Sequence, residues 1–268
     1  MDAAQKSPVT SFATIAALLF LYAPLAVVVL FSFHERPSLS FPFTGFSLRW
    51  YEQVFSSAEF GSAVRNSIVV GIASAATTLV LGTMAAYGLG RIPQRYRAFL
   101  AMLFFLPITL PGLFIGLSLL VFFVQIRVPL SLVTVTISHL IYVFPYFLLI
   151  AWAAVERLDP ALEDTAADLG AGPWQVFWKV SLPQLWPILV GATSLAFALS
   201  FDEFVITFFV IGAESTLPMY IWSGLRRTID PAVNTVSSIL LLLTLALFSL
   251  AFLFAFGRRQ LLAKGIRK

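Results

Sequence analysis

Six stretches of this chain are each long enough to cross a bilayer: Ser11 to Phe33, Ser67 to Leu89, Ala98 to Ile126, Val128 to Val155, Pro187 to Gly212 and Ala232 to Gly257. None contains Asp, Glu, Lys or Arg except the fifth, which carries Asp202 and Glu203. About 20 apolar residues at ~1.5 Å per residue traverse the ~30 Å hydrocarbon core. In hydrocarbon, each segment must satisfy its own backbone polar groups, so charge-free runs of this length predict helices and exclude open sheets. With 59% hydrophobic and 11% charged residues, the chain reads as an all-α polytopic membrane protein. The expected organisation is a single transmembrane domain over 1–268, with helices near 11–33, 67–89, 98–126, 128–155, 187–212 and 232–257.

The first run exceeds a signal-peptide core in length and meets no small-residue cleavage pattern before FSFHERPSLSF, so it is read as retained. Six crossings put both termini on one side. That side collects eleven Lys and Arg (Lys6, Arg91, Arg95, Arg97, Arg157, Lys179, Arg258, Arg259, Lys264, Arg267, Lys268) against six on the other (Arg36, Arg49, Arg65, Arg127, Arg226, Arg227). The positive-inside rule therefore predicts cytoplasmic termini. The net charge of +4 follows from this flanking pattern and calls for no nucleic-acid partner. Zero cysteines exclude thiolate chemistry and disulfides, and two histidines, His34 and His139, are too few and too separated for a zinc site. His139 is read as a hydrogen-bonded packing residue, and no catalytic or metal-binding residue is expected.

Small residues recur four apart at Ser67, Gly71 and Ala75, at Gly82, Ala86 and Gly90, and at Gly112 and Gly116. Such ridges let helix backbones approach closely in lipid and predict a compact bundle. Pro24, Pro107, Pro111 and Pro145 lie inside runs, where each removes a donor and bends the helix. Bent, packed helices suit transporters, receptors and membrane enzymes alike.

Between the fourth and fifth runs, residues 156–186 break the pattern with ALEDTAADLGAGPWQVFWKVSLPQLWP. Asp159 and Pro160 form a helix start. Leu162, Ala166 and Leu169 fall on one face, and Glu163, Asp164 and Asp168 make the rest negative. Gly170 and Gly172 end this helix and Pro173 starts another, on which Trp174, Phe177 and Trp178 share a side by their i, i+3, i+4 spacing. The aromatic helix either anchors in the headgroup layer or docks on a protein. With Lys179 as its only base it favours the protein, and tryptophans are common binding anchors.

The spacing resembles the signature of inner-membrane permeases of binding-protein-dependent ABC importers: E-A-A, three residues, G, nine residues, I-x-L-P. Here it reads Asp164, Thr165, Ala166, then Gly170, then Val180, Ser181, Leu182 and Pro183, with Glu163 preceding; Asp replaces Glu and Thr replaces the first Ala. The resemblance implies the type I importer permease fold, with 156–186 as a cytoplasmic coupling helix-turn-helix that docks on a separate ATPase. On that basis Glu163, Asp164, Thr165, Ala166, Gly170, Pro173, Trp174, Phe177, Leu182 and Pro183 are its coupling residues. No G-x-x-x-x-G-K-[ST] loop occurs, so ATP and Mg are expected on the partner and no cofactor on this chain. The implied partners are two ATPase copies, a second and different permease chain, and an external solute-binding protein. FPFTGFSLRWYEQVF, SFDEFVITFFVIG and STLPMYIWSGLRRTIDPAVNTVSS further resemble the spermidine/putrescine class.

A carboxylate in hydrocarbon costs a few kcal/mol and is normally aimed at a cavity or a partner. Asp202 lies about 22 Å along a helix that begins at Pro187, in the outer half of the membrane. In a continuous helix its neighbour Glu203 points about 100° away. One of the two is therefore expected to line a pathway for a cationic solute, the other to contact a neighbouring helix; a purely structural pairing is the alternative. Phe197, Phe201, Phe204 and Phe208 form a stripe that either packs or, as at Phe201, adds cation–π contacts to that pathway. Besides an ATP-driven importer working by alternating access, an ion-gradient carrier or channel using Asp202 or Glu203 fits the residues. A membrane enzyme fits least, for want of a nucleophile with a base at helical spacing.

Overall fold

The computed structural model describes residues 8–37, 43–227, 231–246 and Ser249. Lys6, the basic residues from Arg258 onward and the end of the sixth run lie outside the described residues. Those described are helical, without a strand among them; their one bridge pairs His34 with Phe46.

They fall into two compact units. The first takes in the chain up to Gly61 together with Tyr220–Leu243. In it α1 (Pro8–Phe31) leads into a tight return held by Glu35 N–H to Gly45 O (3.1 Å) and Ser47 N–H to Phe33 O (2.7 Å). The amphipathic α2 (Arg49–Ser56) follows, and its Trp50 indole donates to His34 O at 2.7 Å. Phe31, His34, Phe43 and Phe46 form a continuous ring cluster beneath it.

The second unit is Ser62–Met219 with the described residues from Thr244 onward. Its helices are α3 (Ala58–Leu89, from Ser62 on), α4 (Gln94–Thr109), α5 (Gly112–Gln125), α6 (Leu132–Val155), α7 (Pro160–Asp168), α8 (Pro173–Val176), α9 (Leu182–Phe201) and α10 (Val205–Val210). Most of α11 (Leu217–Arg227) and of the last apolar helix, α12 (Pro231–Ala246), belongs to the first unit. The centre of the second unit is α6, whose Val135, His139, Val143, Phe147, Leu148 and Ala151 are all buried. Ser131 and Thr134 close a reciprocal capping box at its start. Against it lie Leu185, Leu189, Ala192 and Ala196 of α9.

The small-residue ridges make the close contacts expected of them. A side chain at Gly82 has no room against the Phe147 ring, and a Cβ at Gly116 lies 3.1 Å from the Ile206 Cα. At Gly116 the neighbour is helix backbone, the close approach that small residues favour in lipid, and at Gly82 it is a buried ring.

Three runs differ from single straight crossings. Ala98 to Ile126 forms α4 and α5, bent by 101°. Pro111 imposes an extended conformation on Leu110 (φ −95°, ψ 131°) and lacks the N–H that continues a helix. The helix of the second run starts at Ala58, ahead of Ser67, because Glu59 and Arg65 are accommodated on its first turns. The fifth run stops at Phe201 and resumes at Val205, so Asp202 and Glu203 sit in a break and not at adjacent helical positions.

Candidate functional site

The 156–186 passage is built as its caps dictate. Asp159 Oδ1 accepts Ala161 N–H at 3.0 Å and Pro160 takes the first turn of α7. Gly170 (φ 87°) closes α7: Ala171 N–H reaches Ala166 O at 3.0 Å and Gly170 N–H reaches Ala167 O at 2.9 Å, the paired bonds of a glycine-terminated helix.

Beyond Pro173 the structure departs from a separate second short helix. α8 passes through a π-helical turn, Phe177–Ser181, directly into α9, giving one rod from Pro173 to Phe201. Leu182 and Pro183, which occupy the end of the signature, are its middle and not a terminus. Leu182 packs on the core while Pro183 is exposed.

The three aromatic rings stay in mutual contact but differ in exposure. Trp174 is 72% exposed and Trp178 50%, their rings in edge contact at 5.6 Å, and Leu169 (84%) and Leu162 (48%) of the preceding segment are exposed as well. Phe177 turns inward, its ring edge-on to Tyr87 at 4.7 Å. Asp164 and Thr165 are exposed, Thr165 bonding back to Ala161 O, and Ala166 is half-buried. Glu163 points the other way: its carboxylate accepts Arg91 Nη2 at 2.6 Å and Ser181 Oγ at 2.5 Å. Arg91 and Tyr87 had no signal in the sequence that tied them to α7, and Ser181 stood only at the unspecified position of the signature.

The far end of the rod carries the acidic break. Asp202 is exposed and is the C-cap of α9, its N–H reaching Ala198 O at 3.1 Å. A carboxylate there faces the negative end of the helix dipole. Among the described residues no Lys or Arg forms an ion pair with it. Glu203 is half-buried, and its Oε1 accepts Ile206 N–H at 2.9 Å, capping α10. Phe201 is buried and stacked on Phe197, with centroids 5.5 Å apart, while Phe204 and Phe208 pair on the other side of the break. Tyr142 of α6, in ring contact with Tyr146 at 5.6 Å, lies within electrostatic reach of both carboxylates. His139, buried on α6, bonds Ser200 Oγ and Thr207 Oγ1, each at 2.8 Å, and so holds both flanks of the break. Among the described residues no group of acids and histidines is arranged to hold a metal ion.

Residues 78–264 match the family of binding-protein-dependent transport system inner membrane components, a stretch that contains α7, the rod and the break. The chain belongs to this family. Among similar members, the putrescine transport system permease protein PotI of Escherichia coli (strain K12) is 32% identical over 83% of this chain and 82% of its own length. The spermidine/putrescine transport system permease protein PotC of the same strain is 27% identical over 85% and 86%. A putative 2-aminoethylphosphonate transport system permease protein, PhnV, of Salmonella paratyphi A is 28% identical over 79% and 80%.

The fold of this permease subunit recurs in solved ABC importers. A bacterial ABC transporter that imports the acidic polysaccharide alginate superposes with a TM-score of 0.76 over 93% of this chain and 94% of that one, at 15% identity. The methionine transporter MetNI in an inward-facing conformation gives 0.58 over 75% and 98%, at 17% identity. The chain is thus a multi-pass membrane permease subunit of an ABC importer and not an enzyme.

Proposed function

We propose that this permease carries a small cationic solute of the polyamine type inward by alternating access, driven by ATP hydrolysis on separate subunits. The observation that carries the reading is the rod Pro173–Phe201, which joins the exposed Trp174 and Trp178 directly to the acidic break at Asp202. A groove on an ATPase that grips the two tryptophans and Leu169 displaces the rod as a unit, and the break lies about 40 Å away at ~1.5 Å per residue. Docking and gating are then two ends of one lever.

On this reading Asp164, Thr165, Ala166, Gly170 and Pro173 shape the docking surface. ATP and Mg bind the ATPase, and the termini face the cytoplasm, a reading that the eleven-to-six division of basic residues supports. One docking element per chain calls for a second permease, and on this reading a different chain takes that place. An external binding protein delivers the solute.

The cationic class rests on two supports: the names of the first two relatives, and Asp202, an exposed carboxylate at a helix C-terminus where the dipole and free carbonyls add negative potential. The phosphonate relative carries a solute with an amino group as well as an anion by its name, so the experiment must separate the classes. The chain, its gene-neighbour permease, ATPase and binding protein are reconstituted in proteoliposomes and labelled putrescine, spermidine and 2-aminoethylphosphonate uptake is measured. ATP-dependent uptake of a polyamine supports the reading. Uptake driven by an ion gradient without ATP, or failure of any ATPase to copurify, sinks it.

A further inference from the structure

The Glu163 carboxylate is turned inward, and what it holds suggests a role apart from docking. Its Oε2 accepts Arg91 Nη2 at 2.6 Å and its Oε1 accepts Ser181 Oγ at 2.5 Å. The Tyr87 hydroxyl lies 3.3 Å from the same Ser181 Oγ. The Arg91 guanidinium carbon stands 3.2 Å over the Tyr87 ring centroid, and its Nη1 donates to Tyr87 O at 3.3 Å. Phe177 packs edge-on against that ring. One carboxylate thus gathers α7, the C-terminal end of α3 and the π-helical turn that feeds α9. Charge-assisted bonds and a cation stacked on an aromatic face are directional contacts that fix orientation as well as distance.

Two features show why α7 needs such a fastening. No residue of α7 is buried, so apolar packing does not seat it on the spans. A cleft of about 530 Å³, lined by Arg91, Arg97, Glu156, Leu158, Pro160 and Glu163, separates α7 from the ends of α3 and α6. The helix itself is complete without Glu163, since Asp159 and Gly170 satisfy its ends. Releasing the carboxylate therefore leaves α7 folded and frees it to swing into the cleft.

We propose that Glu163 and Arg91 form a transmission latch: they are positioning residues that make α3 and α9 move together when α7 is displaced, and they are not part of the ATPase contact. The proposal rests on the reading of the chain as an ATPase-driven permease. With the latch open, a docked ATPase still hydrolyses ATP but its movement is absorbed at the cleft. The solute moved per ATP falls while binding of the ATPase does not.

The test uses the assembled importer in proteoliposomes and three readouts: ATPase copurification, hydrolysis stimulated by the loaded binding protein, and uptake. Glu163→Ala and Arg91→Ala are each expected to retain the ATPase and hydrolysis within about twofold, and to lower the uptake-to-hydrolysis ratio about tenfold, within the usual range of coupling between sites. Glu163→Gln, which keeps the volume and a Ser181 acceptor, gives an intermediate ratio. The exchange Arg91→Glu with Glu163→Arg restores the ratio toward that of the unaltered protein while ATPase retention and hydrolysis stay level throughout the series, whereas a merely structural role would move all three readouts together. Loss of the ATPase from the single variants, an unchanged ratio in Glu163→Gln and both alanine variants, or an exchange no better than the singles overturns the latch. Failure of the unaltered protein to retain an ATPase or to use ATP overturns the functional reading instead, so the two are distinguishable.

Discussion

His139 Nε2 lies 2.8 Å from Thr207 Oγ1, and the same hydroxyl lies 2.9 Å from Glu203 O. Thr207 has a single hydroxyl hydrogen. Thr207 donates to Glu203 O and therefore accepts from Nε2–H; with one ring proton, Ser200 Oγ then donates to Nδ1 at 2.8 Å. The imidazole thus clamps the last turn of α9 to the first turn of α10 across the break. The Nε2–H tautomer is the expected reading of the His139 nitrogen shifts by NMR.

Replacing this clamp tests its weight. His139→Leu fills much of the same volume but leaves Ser200 Oγ buried without its partner, which costs about 1–3 kcal/mol, while Thr207 Oγ1 keeps its bond to Glu203 O. The expected result is a lower melting temperature in detergent together with reduced uptake. Unchanged stability and transport in this variant mean the imidazole is not holding the break.

The two acids at the break are expected to separate by role. Gln at position 203 retains an oxygen for Ile206 N–H, so Glu203→Gln preserves the cap of α10 and loses only charge. Asp202→Asn removes an exposed charge that no described basic residue neutralises. Polyamine uptake at saturating ATP should therefore fall more in Asp202→Asn, with a raised half-saturation concentration, than in Glu203→Gln. Normal transport by both removes the carboxylates from the pathway.

Much of this architecture is legible in the residues, and the rest is hidden for definable reasons. Charge-free runs locate the apolar helices because hydrocarbon enforces their composition. Asp159, Pro160 and Gly170 place the ends of α7 because capping is local chemistry. The 101° bend at Pro111 was half-visible: proline signals a bend but not its size. The break at 202–204 was not visible, since Phe201 and Val205 are equally apolar and only the capping reach of Glu203 reveals the stop. The fusion of α8 to α9 escaped because Leu182 and Pro183 look like a boundary, whereas proline near a first turn is compatible with a helix that a π-helical turn leads into. Arg91 and Glu163 are 72 residues apart, and no periodicity connects them.

The exposed aromatic pair should behave as a binding anchor and not as a core element. Trp174→Ala with Trp178→Ala removes two side chains that are half or more exposed, so the permease alone keeps its thermal stability. Loss of two such anchors from an interface commonly costs 2 kcal/mol or more, about thirtyfold in affinity. ATPase copurification should fall accordingly. Full retention of the ATPase places the docking surface elsewhere.

Glycine-to-alanine substitutions offer an internal comparison of packing, because the same added methyl meets different surroundings along the same helices. At Gly82 it runs into the buried Phe147 ring, and at Gly116 it meets the Ile206 Cα at 3.1 Å, a backbone atom that cannot yield by changing rotamer. Overpacking of this kind costs about 1–3 kcal/mol. At Gly88 and Gly191 no atom lies within 4 Å of the new methyl, and alanine is the better helix former by about 0.8–1.0 kcal/mol. Thermal unfolding in detergent should therefore place Gly82→Ala and Gly116→Ala below the unaltered protein and Gly88→Ala and Gly191→Ala level with it or above. Gly116→Ala carries the further expectation of impaired uptake, since the strain falls on α10 beside the clamp that His139 provides. Four variants of equal stability mean that the close approaches at Gly82 and Gly116 do not exist in the folded protein.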